Sequence, residues 1–281
     1  MQAMPQPTPH RLEKVAPPKI QSPLLQFSKN ITSQSGEDGI LERIFEIVKP
    51  KHQYCVEFGA WDGKYMSNCW NLIANKNWKG AFIEGSKEKF QDLLSTHGAN
   101  PNVSCINTYV DHEGPNNLDN ILSLANCPED FDLLSIDIDG TDYFIWESLS
   151  RFRPRITVIE FNPTVPNDII FVQAKNNQIN QGCSLMALIL LGKQKGYELA
   201  CCTPANAIFA TEELYPEFKI SDNSIHSMYQ PTLDGRIFHG FDSYVHITGM
   251  PKLLWSGIKV TSDDVQILPE SMRRFGDSQR G

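Results

Sequence analysis

The 281-residue chain has no long apolar run. Its longest, Leu185 to Leu191, is seven residues, far short of the about 20 that a membrane-spanning helix needs. Its first residues lack the apolar core of a secretory leader. It has no long basic run and a net charge of −8, so it carries no electrostatic footprint for a nucleic-acid backbone. Its seven cysteines are odd in number and form no C-x-x-C pair. Most sit inside apolar stretches, which reads as reduced packing residues in a cytoplasmic protein. The two glycosylation patterns, at Asn30 and Asn102, are therefore expected to be unmodified. No internal repeat is present. What is there, 41% hydrophobic and 21% charged residues, is ample for a core. The length suits one large domain or one domain with appendages.

Residues 1–26 hold six of the 18 prolines and read as an extended or disordered arm. Order is expected near Phe27. Ser35, with Asp38 three later, reads as the N-cap of a helix whose apolar face is Ile40, Leu41, Ile44, Phe45 and Val48; Pro50 stops it. The globular domain is expected over 27–261, with 211–261 as an irregular, aromatic-rich appendage on the substrate side and 262–281 as a tail.

The chain is organised around Tyr54-Cys-Val-Glu-Phe-Gly-Ala-Trp-Asp-Gly63. A short apolar strand runs into a turn at Gly59 and Gly63, and Met66, Cys69, Trp70 and Ile73 follow at helical spacing. Strand, glycine turn and helix open a nucleotide-binding α/β domain. The dinucleotide fingerprint G-x-G-x-x-G is absent, because Trp61 and Lys64 stand at its second and third glycine positions. A bulky indole there argues against a pyrophosphate. Glu57, two before Gly59, suits a cationic ligand, and S-adenosylmethionine carries an ammonium and a sulfonium with no phosphate. The alternative is a tight turn in an unrelated α/β protein.

Lys79–Glu84 reads as a second strand. Glu84 lies 21 residues past Gly63, where a Rossmann-like fold puts a carboxylate on ribose hydroxyls; the alternative is a surface glutamate. Phe90, Leu93, Leu94 and His97 share a helix face, with Gly98 behind them. Val103–Val110 is a third strand, and Asp111 after it is placed either to accept from an adenine amine or to sit in a solvated loop. Pro115 is expected to open another helix. Leu133–Ile138 is a near-continuous apolar strand, as a doubly covered parallel strand should be. It carries Asp137 and Asp139 at its carboxyl end, where ligands of open α/β sheets bind. Ile156–Phe161 is a fifth strand, leading into Glu160-Phe-Asn162-Pro163. If these strands are neighbours, Asp137, Asp139, Glu160 and Asn162 converge. The polar stretch 164–183 resembles a lid or substrate loop. Ser184 caps an apolar helix, and Tyr197–Cys202 with Ala207–Ala210 forms an antiparallel edge hairpin. The count is about seven strands.

Four segments resemble the FkbM-type methyltransferases: Ser33-Gln-Ser-Gly-Glu-Asp-Gly-Ile-Leu41, Val56-Glu-Phe-Gly-Ala-Trp-Asp-Gly63, Ser135-Ile-Asp-Ile-Asp-Gly-Thr-Asp-Tyr143 and Val158-Ile-Glu-Phe-Asn-Pro163. The resemblance covers about 30–210. It implies a Rossmann-like class I methyltransferase fold, a mostly parallel seven-stranded sheet with an antiparallel edge hairpin and helices on both faces. It also implies S-adenosylmethionine and O-methylation of a sugar, glycan or natural-product hydroxyl. By motif match Glu57, Gly59 and Glu84 carry over as cofactor contacts, and Asp137 lies where the transferred methyl sits. Gln34, Asp62, Gly63 and Asp111 complete the candidate cofactor set.

Methyl transfer needs an oxygen aligned with the sulfonium carbon and a means of removing its proton. Asp137, Asp139 or His226 could act as the base, with His226 equally readable as a surface or packing residue. The all-oxygen set Asp137, Asp139, Glu160 and Asn162 is what Mg²⁺ prefers; alternatively, these aspartates bond to backbone amides without a metal. A second enzyme class competes: Asp137-Ile-Asp139 is a D-x-D motif, as in metal-dependent glycosyltransferases, but that account leaves Glu57, Gly63 and Glu84 without work. A non-catalytic binding protein is the third reading. A small-molecule or glycan acceptor is the expected partner, and an oligomer is compatible with all three.

Overall fold

The structure is a computed structural model that describes residues 22–231, 235–249, 253 and 256–273. The chain forms two compact units. The first comprises residues up to Asn162 and Asn167–Gln230, and the second Pro163–Pro166 and the described residues from Pro231.

The first unit is a seven-stranded sheet. β1 (Tyr54–Phe58) lies beside β2 (Lys79–Glu84) and β4 (Leu133–Ile136); β3 (Val103–Asn107) flanks β2, and β5 (Ile156–Glu160) flanks β4. These five strands are parallel. β7 (Asn206–Thr211) runs antiparallel to β5 and pairs with β6 (Tyr197–Cys202) as the edge hairpin. The order β3-β2-β1-β4-β5-β7-β6 is the Rossmann-like class I methyltransferase arrangement that the sequence points to.

Side chains alternate across each strand, so the sheet separates two apolar layers. Val56, Phe58, Leu134 and Ile136 face α4 (Leu118–Leu124), α5 (Asp142–Ser148) and α6 (Leu185–Gln194). Cys55, Leu133 and Val158 share the other layer with α1 (Glu37–Val48), α2 (Trp70–Lys76) and α3 (Lys87–His97). The seven cysteines are free thiols, as their apolar settings suggest. Among the described residues no helix is long and apolar enough to cross a membrane.

Several boundaries differ from the sequence reading. Of the arm expected over 1–26, residues 1–21 lie outside the described residues. Pro23–Phe27 forms a 3-10 turn that buries Leu24, anchored by the Ser22 hydroxyl donating to the Ala200 carbonyl at 2.6 Å. Ser35 does not cap α1. Gly36 does, at φ +98°, because Asp38 turns back to accept from the amides of Ile31, Thr32 and Ser33. Met66 is in a loop at φ +58° and α2 begins only at Trp70. Pro115 opens no helix; α4 starts after Asn117, whose side chain caps it. The first unit runs to Gln230, with Phe218, Met228 and Tyr229 buried in it. The Tyr229 ring meets Phe161 at 4.9 Å, edge to face.

The second unit contains a hairpin of β8 (Arg236–His239) and β9 (Val245–Thr248). The stretch expected as a tail holds 3-10 turns at Ser262–Val265 and Glu270–Met272. The Gln266 side chain pairs with both backbone groups of Val245, which gives this segment a fixed partner; residues 274–281 lie outside the described residues.

At the amino ends of the strands, fully buried Asp132 accepts from the amides of Lys51 and His52 at 2.6 and 2.8 Å and from Arg155 at 2.7 Å. Truncating one partner of such a pair leaves an uncompensated buried charge. Asp132→Ala is expected to lower unfolding free energy by about 3 kcal/mol, measured by urea denaturation; a loss near zero would refute this anchoring role.

Candidate functional site

A cavity of about 460 Å³ opens at the carboxyl ends of the strands, within the usual range for small-molecule sites. The chain's crossovers reverse direction between β1 and β4, and in open α/β sheets that switch point is where ligands bind. Gly59, Glu84, Tyr109, Val110 and the turn 137–141 line the cavity, together with Asn177, Ile179 and Asn180 from the loop after β5.

Gly59 sets how tightly this floor closes. It sits at φ +73°, and a Cβ there would lie 1.9 Å from the Asp137 carbonyl oxygen. Only glycine lets the loop after β1 come this near the tip of β4. On the β4 side, buried Asp142 accepts from the amides of Ile138 and Gly140, both at 2.8 Å. That wraps the turn and puts Asp139 in the left-handed region at φ +60°.

Glu84 ends β2 on the cavity wall. One of its oxygens accepts from the Trp61 amide at 2.9 Å and the other from the Ser86 amide at 2.7 Å. The carboxylate is thus fixed in orientation, with lone pairs left for a ligand's hydroxyls. Trp61 acts here through its backbone. Its indole donates to Asp92 at 3.2 Å and lies under the Lys89 ammonium, 4.8 Å from the ring centre. The ring does not line the cavity, so the steric argument against a pyrophosphate built on it does not hold. In the absence of a cation the lining disfavours phosphate by charge: Glu84, Asp137 and Asp139 line the cavity, and Lys89 is the only basic residue among the described lining residues.

Asp137, Asp139 and Glu160 converge, with one carboxylate oxygen of each lying within 4.8 Å of the others. Burial raises the Asp137 pKa to about 8, and the neighbouring carboxylates of Asp142, Asp139 and Glu57 add to this. Burial raises Glu160 to about 9, with Asp137 the largest charge contribution. Asp137 keeps solvent access on its cavity side, which tempers its shift. With oxygens within 4.8 Å of one another, the two acids are placed to share a proton. Asn162 gives its amide to the Gln181 carbonyl at 2.9 Å.

The remaining candidates lie elsewhere. Glu57 is buried beneath the floor and does not line the cavity. Its carboxylate accepts from the Ser67 hydroxyl and, at 2.9 Å, from the Asn68 amide, which folds the loop between β1 and α2. Burial raises its pKa against those bonds. Asp62 accepts from the amides of Lys64 and Tyr65. Gly63, at φ +69°, has its carbonyl against buried His97 at 3.0 Å, which makes His97 a packing residue. Asp111 stands at the rim, 3.5 Å from the Asn177 amide. Gln34 and His226, the latter on the short helix α7 (Ile225–Met228), are exposed and line no part of the cavity. Sequence reasoning passed over Tyr109 and Gln173. Tyr109 packs against Gly85, where a Cβ would meet its ring at 2.2 Å; the glycine directly after Glu84 was the available signal.

No protein-family model matches the chain, and no curated protein does. The FkbM-type resemblance therefore rests on the four sequence segments. Solved structures similar to the chain include the N-terminal domain of EvdMO1 with SAH bound, at 13% identity and TM-score 0.41, over 64% of this chain and 82% of that one. The CcbJ methyltransferase from Streptomyces caelestis matches at 10% and 0.39, over 60% and 88%. A SAM-dependent methyltransferase from Aquifex aeolicus matches at 13% and 0.37, over 60% and 87%. Likenesses this distant leave function to be read from the site.

The raised acids make stability depend on pH. Unfolded, both would release their protons near pH 4; folded, they hold them longer. Their contribution is therefore complete below about pH 4 and is lost as pH rises through about 8 to 9. In EDTA, Tm by scanning calorimetry should fall between pH 6 and 9, and Asp137→Asn should flatten that fall. An identical slope in the variant would contradict the shared-proton arrangement.

Proposed function

We propose that the chain is an S-adenosylmethionine-dependent methyltransferase that methylates a hydroxyl of a sugar, glycan or natural product. The observation that carries this reading is the acidic cavity at the switch point, with a Glu84 carboxylate held by two backbone amides and Asp137 in the same lining. A ribose diol matches Glu84, since a carboxylate only accepts and a diol donates. A sulfonium and an ammonium suit a lining with three carboxylates and one lysine. When bound, the cofactor supplies an electrophilic methyl group on a cationic sulfur.

Asp137, Asp139 and Glu160 are the proposed holders of a divalent cation, Mg²⁺ in the first instance. Carboxylate oxygens are the ligands it takes, and their 4.8 Å spread needs only small side-chain adjustment to converge on one ion. The cation would supply a Lewis acid that lowers the pKa of an acceptor hydroxyl. A bound cation would displace the proton between Asp137 and Glu160, and a carboxylate oxygen left off the ion would then be the group positioned to take up the proton released. Glu57 serves by shaping the loop above β1, and His226 has no part. The competing D-x-D glycosyltransferase reading would place a nucleotide diphosphate on that same cation.

Titration calorimetry separates the two. S-adenosylhomocysteine should bind, and a UDP-sugar should not. Glu84→Gln should weaken S-adenosylhomocysteine by about 10-fold or more, the value of a hydrogen bond to a charged group. Binding of the UDP-sugar alone would overturn the assignment. Once an acceptor is found on a panel of hydroxyl-bearing compounds, EDTA should abolish turnover; full turnover in EDTA would remove the cation from the scheme.

A further inference from the structure

The ten residues 173–182 are polar and irregular, yet they are not a free lid. Val172 and Cys183 pair across the neck of the loop, and the Phe171 carbonyl accepts from the Ser184 amide at 2.8 Å. Gln173 fills the centre. It is 3% exposed, and both ends of its amide are used. The nitrogen donates to the Ile179 carbonyl at 2.7 Å and the Asn176 carbonyl at 3.4 Å. The oxygen accepts from the amides of Gln181 and Gly182, both at 2.8 Å. One buried side chain thus takes the place of a secondary-structure ladder for a segment that has none.

The same loop is pinned outward at three places. Lys175 lies over the Phe144 ring of α5 at 4.9 Å, with the Glu147 carboxylate 3.6 Å away. The Ile179 carbonyl sits against Gly140, where a Cβ would approach to 3.1 Å. Asn177 reaches Asp111, just past β3, at 3.5 Å. The loop therefore leaves from beyond β5, reaches past the tip of β3 at Asn177, near where Tyr109 and Val110 line the cavity with Glu84, and returns by the β4 turn at Ile179 to its neck beside β5. Asn177 thus stands on the Glu84 side of the cavity.

We propose that Gln173 is a positioning residue for the nucleoside end of the cavity: it holds loop 173–182 as a preformed wall that packs Asn177, Ile179 and Asn180 against the base and ribose. This rests on the cofactor reading above and departs from the expectation of an acceptor lid. Preorganisation of this kind removes an ordering cost from binding. If the wall is formed in only one molecule in ten, apparent affinity falls about ten-fold.

Gln173→Met keeps the length and loses all four bonds. Titration of the wild type and the variant with S-adenosylhomocysteine and with adenosine, no acceptor present, is the test, together with limited proteolysis across 174–181. The variant should bind both ligands about ten-fold more weakly and be cut faster in the loop, with faster cutting suppressed by saturating S-adenosylhomocysteine. Asn180→Ala, which leaves the loop's internal bonds in place, should also weaken adenosine and serves if Gln173→Met does not fold. Unchanged affinity for both ligands in a variant that is cut faster, or in Asn180→Ala, would overturn the proposal and return the loop to the acceptor. Failure of the wild type to bind S-adenosylhomocysteine would remove the cofactor reading and this inference with it.

Discussion

The site depends on one close approach, the backbone of Gly59 against the carbonyl of Asp137. Two parallel strands at the centre of a sheet normally end in loops that diverge. Here the loop after β1 is drawn onto the tip of β4, and a methyl group's worth of bulk would force them apart. The positive φ at Gly59, Trp61 and Gly63 follows from this, because the chain must turn back sharply before it can enter α2. With the floor closed, the amide of Trp61 reaches the Glu84 carboxylate and aligns the tip of β2 with the other two.

Two carboxylates in this region do different work because their surroundings differ. Glu57 stands one residue before the end of β1 and Glu84 ends β2; both accept backbone amides, and both are 6% exposed. Glu57 faces the layer under the floor, where Ser67 and Asn68 take up its oxygens. Glu84 faces the cavity and is held from behind. Asp137 and Glu160 form a third environment. There the acids crowd one another, so the pair keeps a proton that isolated carboxylates would release.

Much of the architecture was legible from pattern. The run Leu133–Ile138 read as a doubly covered strand, and its first four residues form one. Ser184 read as a cap and accepts from the Ala187 amide. The spacing from Gly63 to Glu84 put a carboxylate on the cavity wall. The misreadings were local and share a cause. Ser35 looked like a cap and Met66 looked helical because both carry the right side chain at the right spacing, yet Asp38 and Glu57 draw their loops into other shapes by bonds to backbone amides six to eleven residues away. No periodicity records such bonds. Trp61 is the instructive case: its size suggested an obstruction, but its ring lies on α3 and its amide does the work.

By itself the sequence determined the order of strands and helices, the two-sided burial of the sheet and the grouping of acids at the carboxyl ends. These follow from side-chain period and from where a parallel sheet leaves its strand tips. Only the tertiary structure decided which acids meet. Convergence of Asp137, Asp139 and Glu160, the inward turn of Glu57 and the bracing of loop 173–182 by Gln173 all depend on contacts between segments distant in the chain, whose geometry is set by packing and by the need of every buried polar atom for a partner.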